Sequence, residues 1–551
     1  MKIVECVPNI SEGRSPEIYN AIAEAAAVPG VKLLDVDPGA ETNRTVITFV
    51  GEPEPVLEGA FRLVEAARRL IDMRSHHGAH PRMGAVDVCP FVPVAGLSMD
   101  DCVELARRLG RRVGEELSLP VYLYEFAATR PGRRSLAAIR KGEYEALAAK
   151  LQTPEFEPDF GPADFVPEFG AMVIGARKFL VAYNVNLNVT DKRWANRVAF
   201  DVREAGRTVT GPDGAKVQQP GMLEAVRGVG WYIPEYGCAQ VSMNLVDLDV
   251  TPVHRAFDAC DESARSRGLR VTGSELVGLV PKSAMLDAGR HYLHRMERSR
   301  GVPEADIVHA AVRSLGLAEV APFDPAEKVI ENILAPERPL ASMTLQAFAD
   351  ETSRDSAAPG GGSVAALTGA LGAALAAMVA TLPHPTSGFE GVRDELEEIA
   401  VRAQELKQQL LDAIDADTWA FQALMEAGKV SGTGRQEAVR EATLNAARVP
   451  LDVAEACPEI VELCDRARRL GMAASASDAG VGAGMARAAA LGAAMNVRIN
   501  LQGMADDTEA AGLLERADAV VEAVRRRASE VEAAVWEALG GPLLSGDVSD
   551  L

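Results

Sequence analysis

Aromatic residues are scarce in this chain, at 5% of 551 positions, and histidine occurs only eight times. The seven cysteines (Cys6, Cys89, Cys102, Cys238, Cys260, Cys457 and Cys464) are odd in number, scattered, and never spaced C-x-x-C. That pattern excludes a disulfide-stapled secreted scaffold and fits reduced thiols in the cytoplasm. Positive charge is in deficit: 57 Lys and Arg against 79 Asp and Glu give a formal charge of −22. Phosphates would be repelled, so neither nucleic acid nor an anionic membrane is expected as the main partner. The N-terminus MKIVECVPN runs into a strand pattern without the apolar stretch of a signal peptide. Long hydrophobic runs are missing with one exception, Val364 to Leu382, uncharged over 19 residues. It is mostly Ala and Gly, which favour bilayer insertion far less than Leu or Ile, so a buried helix of a soluble bundle is expected.

The length calls for several domains. In the first part, strands at Lys2–Val7, Val31–Val36, Thr45–Val50 and Ala85–Val94 alternate with helices at Ser15–Ala27 and Pro53–Ile71. This β-α-β-β-α-β order is the split, ferredoxin-like unit. A helix near Ser98–Leu117, a strand at Val121–Phe126 and a helix at Ser135–Leu151 extend it. The same order returns with strands at Lys178–Leu187, Leu223–Tyr232, Ala239–Val246 and Val271–Val280 and helices at Asp191–Ala205 and Thr251–Arg267. From Pro322 the texture changes, and beyond Leu340 Ala-rich helical patterns dominate, with breaks at Pro359–Gly362, Pro383–Gly388, Ser431–Gly434 and Gly540–Pro542. The expected fold class is therefore an α+β N-terminal half of two ferredoxin-like (split β-α-β) subdomains followed by an all-α helical bundle. The expected boundaries are 1–177, 178–320, a linker at 321–340, and a bundle at 341–551. A groove between the two subdomains is a natural ligand site.

Three histidines fall within five residues, at His76, His77 and His80. Gly78 and Pro81 oppose a helix that would align His76 with His80, and no Cys or Glu completes a zinc set, so no metal is expected. His76 and His77 read as a polar loop. His80 is pinned by Pro81 beside Arg82, and a histidine held near a fixed cation is kept neutral at pH 7, which suits a general base.

In the second half, Leu410, Ala413, Ile414, Asp417, Ala420, Phe421 and Leu424 form one apolar stripe, with Asp415 on the side of Thr418, Trp419 and Gln422. Asp417, inside that stripe, is expected to have a raised pKa; a core Asp satisfied by a neighbouring helix is the alternative. Gly360, Gly361, Gly362 and Ser363 open a helix and present N–H donors to an anionic group, or simply form a tight turn. A second polar stripe joins Asp478, Gly482, Met485, Ala489, Gly492 and Asn496.

The motifs VECVPNISEG, LLDVDPGAETNRTV, GAHPRMGAVDVCPFVPV, YLYEFAA, DFGPADFVPEFGAMVIGARKFLVAYNVNL and APGGGSVAAL carry a resemblance over nearly the whole chain. The first 320 residues resemble the glutamate formimidoyltransferase domain, and the rest resembles formimidoyltetrahydrofolate cyclodeaminase, two activities joined in one family of histidine breakdown. The resemblance implies tetrahydrofolate as co-substrate, with or without a polyglutamate tail, together with formimidoylglutamate and glutamate. It also implies a homo-oligomer built from dimers. It places His80 on the family's catalytic histidine and Asp37 on an acid near it. Asp417 falls on the cyclodeaminase carboxylate. The run Gly161, Pro162, Ala163, Asp164, Phe165, Val166, Pro167, Glu168, Phe169 and Gly170 falls on the segment that lines the folate site. Glutamate's carboxylates call for a bidentate clamp, for which Arg44 and Arg82 are candidates; Arg82 pairing with Asp87 and Asp37 capping a turn are the structural alternatives. The chain departs from the family at TLPHPTSGFEG, where a basic glycine turn is usual. That departure leaves two alternatives: a bundle acting as a methenyltetrahydrofolate cyclohydrolase, or a non-catalytic, folate-binding oligomerisation bundle.

Overall fold

The computed structural model describes residues 2–40, 42–78, 80–210, 215–234, 236–335, 337–356, 358–429, 434–504 and 506–541. Of the expected helix breaks, Ser431–Gly434 lies outside these residues except for Gly434, as does Pro542. The contacts form two compact units, Met1–Ala288 with Val312–Ala335, and Gly289–Ala311 with Pro336–Leu551.

The first unit is an α/β region with two main sheets. Its first sheet contains β1 (Ile3–Cys6), β2 (Asn9–Ile10), β3 (Val31–Gly39), β4 (Arg44–Gly51), β5 (Val86–Ala95), β6 (Val121–Glu125) and β7 (Met172–Ala176). β4 and β5 both pair antiparallel with β1 and β2, β3 pairs with β4 at one edge, and β7 and β6 add in parallel beyond β5. Helices α1 (Pro16–Ala25), α2 (Pro53–Leu70) and α3 (Met99–Glu116) bury one face. Strand alternation sends Val4, Cys6, Ile47, Phe49, Cys89 and Phe91 into that core. The neighbours Glu5, Val46, Thr48, Val88 and Pro90 thereby face the other way, onto the side that lines the cavities described below. α4 (Leu136–Arg140) and α5 (Glu143–Lys150) close part of this second face over Tyr122, Tyr124 and Val173.

β7 is a difference from the sequence expectation, which has no strand between Leu151 and Lys178. It is five residues long, follows a Gly- and Pro-rich segment, and is buried on both faces, so it carries no alternating pattern.

The second sheet has β8 (Val181–Leu187), β11 (Val226–Ile233), β12 (Cys238–Leu245) and β13 (Val271–Val277), all antiparallel in the order β11-β12-β8-β13. α6 (Lys192–Val202) and α7 (Val253–Arg265) pack against it. A small hairpin of β9 (Arg207–Thr210) and β10 (Lys216–Gln219), absent from the sequence reading, sits in the chain between α6 and β11.

After α8 (Lys282–Arg295), α9 (Glu304–Leu315), α10 (Pro325–Lys328), α11 (Ile330–Leu334) and α12 (Leu345–Thr352), the second unit is a helical bundle. Its long helices are α13 (Gly361–Thr381), α14 (Arg393–Ala427), α15 (Arg435–Leu470), α16 (Ala476–Asn500) and α17 (Thr508–Ala538). Among the described residues α13 alone is long and apolar enough to cross a membrane, yet it packs against α14, α15 and α16. Small residues permit this: a Cβ at Gly372 would stand 2.9 Å from Gly482 O on α16, and a Cβ at Gly482 2.9 Å from Cys464 Sγ on α15.

Gly372→Val is therefore expected to overpack the α13–α16 crossing and destabilise the second unit by about 1–3 kcal/mol. Denaturant unfolding of the full chain followed by helical circular dichroism checks this.

Candidate functional sites

The segment between α2 and β5 is held by buried charges. Asp87, fully buried, accepts from Arg44 Nη1 at 2.6 Å and from Met83 N at 2.9 Å, and it also pairs with Arg140. Arg44 Nε donates to Asn9 Oδ1 at 3.1 Å. Two cations on one carboxylate leave net positive charge beside the loop that carries His80.

His80 is half-buried, and its Nδ1 lies 2.7 Å from Pro81 O. A carbonyl can only accept, so Nδ1 carries the proton and Nε2 keeps its lone pair. Burial, reinforced by the charge of Arg44, holds the imidazole below its usual 6.5. Neutral, with a defined tautomer, it meets the requirements of a base.

The other two histidines separate from it. His76 is buried, donates Nε2–H to Asn43 O at 2.8 Å and accepts from Arg82 Nε at 3.3 Å, a structural role. His77 is exposed. Arg82 is committed to Glu143 at 3.1 Å and Glu145 at 2.7 Å, and it is Arg44 and Arg140, not Arg82, that hold Asp87. Asp37 lies exposed on β3 beside Val46. The carboxylate whose charge acts on His80 is Asp87.

The Gly161–Gly170 run lies against the histidine segment. Gly84 bridges Gly170, Ala85 N donates to Phe169 O at 2.7 Å, and Met73 N donates to Glu168 O at 3.0 Å. Gly170 has φ +81°, and a Cβ there would meet Met83 O at 2.2 Å, so only glycine allows this approach. Phe169 is buried, Pro167 O accepts from Tyr144 OH at 2.6 Å, and Phe165 packs on the Tyr144 ring. Gly161, Ala163, Asp164 and Glu168 are exposed, and Pro162 and Val166 are half-buried.

Two open cavities adjoin the first sheet. One, of about 690 Å³, is lined by Asn9, Arg44, Tyr124, Arg140 and Arg177 among others. The second, of about 510 Å³, shares Arg177 and Leu180 with it and is lined by Glu5, Asp35 and Thr48. Glu5 is missing from the sequence reading. It is 5% exposed, and burial pushes its carboxyl up to about 7 against the pull of Arg177. Its one visible signal is an acid alternating with Val4 and Cys6 in an apolar strand. Among the described residues no cluster of three His, Cys, Asp or Glu side chains suits a metal.

In the second unit the three aspartates of α14 part company. Asp412 is exposed and pairs with Arg338. Asp415 is 1% exposed and accepts from the backbone N–H groups of Leu340 and Ala341 at 2.9 and 3.1 Å. This corrects the helical-stripe reading, which puts Asp415 on the polar side: the chain entering the bundle covers it. Asp417 is half-buried at the start of α13. A Cβ at Gly362 would stand 2.2 Å from Asp417 Oδ1, so the glycine makes room for the carboxylate, and a Cβ at Gly361 would stand 3.2 Å from Asn496 Nδ2. Burial raises the Asp417 pKa, and hydrogen bonds from the backbone N–H and hydroxyl of Ser363 partly offset it. That hydroxyl also reaches Ile414 O at 2.9 Å, so the backbone N–H is the firmer of the two. Asn496 Nδ2 bonds to Gly492 O within its own helix.

Residues 3–177 match the family described as the N-terminal subdomain of the formiminotransferase domain, residues 182–335 the formiminotransferase domain, and residues 344–519 formiminotransferase-cyclodeaminase. The chain is 45% identical over 516 residues to formimidoyltransferase-cyclodeaminase of Rattus norvegicus, covering 92% of this chain and 94% of that one. It is 43% identical over 296 residues to glutamate formimidoyltransferase of Thermoplasma acidophilum, covering 53% and 93%. A stretch of 194 residues is 33% identical to methenyltetrahydrofolate cyclohydrolase of Methylorubrum extorquens, covering 33% and 93%.

Asp87→Ala is expected to leave Arg44 and Arg140 buried without their counter-ion and to cost about 3–5 kcal/mol, whereas Asp37→Asn changes stability by less than about 0.5 kcal/mol. Urea unfolding of both full-length variants checks the contrast.

Proposed function

The chain belongs to the formimidoyltransferase-cyclodeaminase family, and on that footing we propose that His80 carries the proton in the transfer step and Asp417 in the cyclisation. The enzyme moves the formimidoyl group between N-formimidoyl-L-glutamate and tetrahydrofolate. It then cyclises 5-formimidoyltetrahydrofolate to 5,10-methenyltetrahydrofolate and releases ammonia.

Transfer begins when N5 of tetrahydrofolate attacks the formimidoyl carbon. The new N5–C bond leaves N5 cationic and the carbon tetrahedral. His80 Nε2 takes the proton from N5 and delivers it to the glutamate nitrogen as the C–N bond to glutamate breaks. The reverse reaction uses the same imidazole to strip glutamate's ammonium. The observation that carries this reading is the 2.7 Å contact of Nδ1 with Pro81 O, which leaves Nε2 as the acceptor. Burial, reinforced by the charges of Arg44 and Arg140, keeps the imidazole neutral until it is needed. The exposed part of the Gly161–Gly170 run, packed against the histidine segment, is the proposed folate-lining surface.

Cyclisation needs N10 to attack the carbon of the protonated, amidinium formimidoyl group on N5, whose terminal nitrogen already carries two protons and leaves as ammonia on receiving a third. Asp417 accepts the N10 proton and passes it to the departing nitrogen, and its raised pKa suits both halves of that exchange. Gly360, Gly361, Gly362 and Ser363 open α13 beside Asp417, and the free N–H groups of a helix start favour an anionic portion of the folate.

The remaining features follow from this reading. The folate carries a mono- or polyglutamate tail, neither reaction uses a metal, and the enzyme serves histidine breakdown and one-carbon metabolism. Seven free thiols, six of them buried, suit the cytoplasm. The order β11-β12-β8-β13 supports a ferredoxin-like description of the second sheet, and the first sheet extends the same order with β7 and β6. Val364, Leu371 and Met378 on α13, Leu382 just past its end, and Met495 and Ile499 on the neighbouring α16 are exposed, which supports assembly of the bundle from dimers.

His80→Ala is expected to lower transfer by roughly 10²- to 10⁴-fold and leave cyclodeamination intact; Asp417→Ala and Gly362→Ala are expected to do the reverse. Separate assays of glutamate release and ammonia release check this, and loss of both activities in a folded single variant contradicts it. With the imidazole held below 6.5, kcat/KM for transfer is expected to stay level around neutral pH and to decline only on acidification below about 6.5. A pH–rate profile reads this directly.

A further inference from the structure

Formimidoylglutamate carries two carboxylates, so the transfer site needs a cation that is free to bind one. The larger cavity is lined by five cations: Arg44, Arg140, Arg177, Lys178 and Arg227. Arg44 and Arg140 are tied to the buried Asp87. Lys178 is tied to Asp247 at 2.7 Å and Asp249 at 2.8 Å. Arg227 is exposed at the rim. Arg82, the other candidate from the sequence, is held by Glu143 and Glu145.

Arg177 is different. It directly follows β7, half-buried, and lines both cavities. Its guanidinium makes one hydrogen bond, from Nη1 to Lys178 O at 3.1 Å, and no ion pair within 4.0 Å among the described residues. Its backbone N–H donates to Phe91 O at 3.1 Å, which fixes its base beside β5. Glu5, the buried acid across the smaller cavity, acts on it only through longer-range attraction. A half-buried guanidinium without a carboxylate partner, at the seam of two cavities, is a vacant bidentate donor.

Asp87, which anchors the two arginines acting on His80, and Phe91, which anchors Arg177, lie four residues apart on β5, roughly 13 Å along the strand. An extended glutamate skeleton together with an arginine side chain bridges such a span.

We propose that Arg177 binds the side-chain carboxylate of the amino-acid substrate and makes the transferase selective for a dicarboxylic formimidoyl donor. This inference rests on the transferase reading of the first unit and deepens it. Folate also ends in a glutamyl carboxylate, so the test separates the two sources.

The experiment compares full-length wild type, Arg177→Met and Arg177→Lys in steady-state transfer. N-formimidoyl-L-glutamate, its uncharged analogue N-formimidoyl-L-glutamine, and tetrahydrofolate are varied in turn. Arg177→Met is expected to raise KM for formimidoylglutamate roughly 30- to 100-fold and to abolish the preference for it over the glutamine analogue. KM for tetrahydrofolate and the rate of ammonia release stay within about twofold of wild type, because those depend on other contacts. Arg177→Lys, a charge without the planar fork, falls between the two and gives the same comparison if Arg177→Met does not fold. An unchanged KM and preference overturns the assignment, as does a rise confined to KM for tetrahydrofolate, which would give Arg177 to the folate tail. Absence of transfer in the wild type overturns the transferase reading itself, a result distinct from either.

Discussion

The proposed transfer site depends on one buried carboxylate. Asp87 has no exposure to solvent, and it is held there because two arginines and a backbone N–H use its oxygens. A buried charge is stable only when paired and hydrogen-bonded. The pairing exceeds neutrality by one, so a positive field reaches the loop beyond. Partial burial, reinforced by that field, keeps His80 uncharged, while the carbonyl of Pro81 selects its tautomer. The proposed base is therefore prepared by its surroundings before any substrate arrives.

The helical unit solves a related problem with different materials. There a carboxylate is lifted by burial and partly lowered again by Ser363 at a helix start, and glycine at position 362 provides the space. Neighbouring Asp415 shows what separates a structural acid from a poised one. It is deeper, yet both its oxygens are taken by backbone N–H groups. Asp417 keeps acceptor capacity for a ligand.

Much of this was legible in the sequence. The strands and helices of the first unit follow from alternation and capping, as with Pro16 after Ser15, and the extended motifs carry the family. β7 was not legible, because a five-residue strand buried on both faces has no period to detect. Charge pairing was not legible either. Arg44 and Arg140 meet Asp87 from 43 and 53 positions away, and only the fold decides that Arg82 goes to Glu143 and Glu145 instead. Helical periodicity puts Asp415 on the polar side because it sees one helix, whereas the cover over Asp415 is the chain at Leu340 and Ala341. Glu5 and Arg177 are inconspicuous in the sequence because a single charge in a strand, or just past its end, acquires meaning only from the cavity it borders.

The most direct measurement of the central claim is ring-¹⁵N NMR of histidine-labelled full-length enzyme, with the His80 signal assigned by its loss in His80→Gln. At pH 7 the ring is expected to be neutral and protonated at Nδ1, with an unprotonated Nε2. A charged imidazolium at that pH, or a neutral ring protonated at Nε2, would contradict that claim.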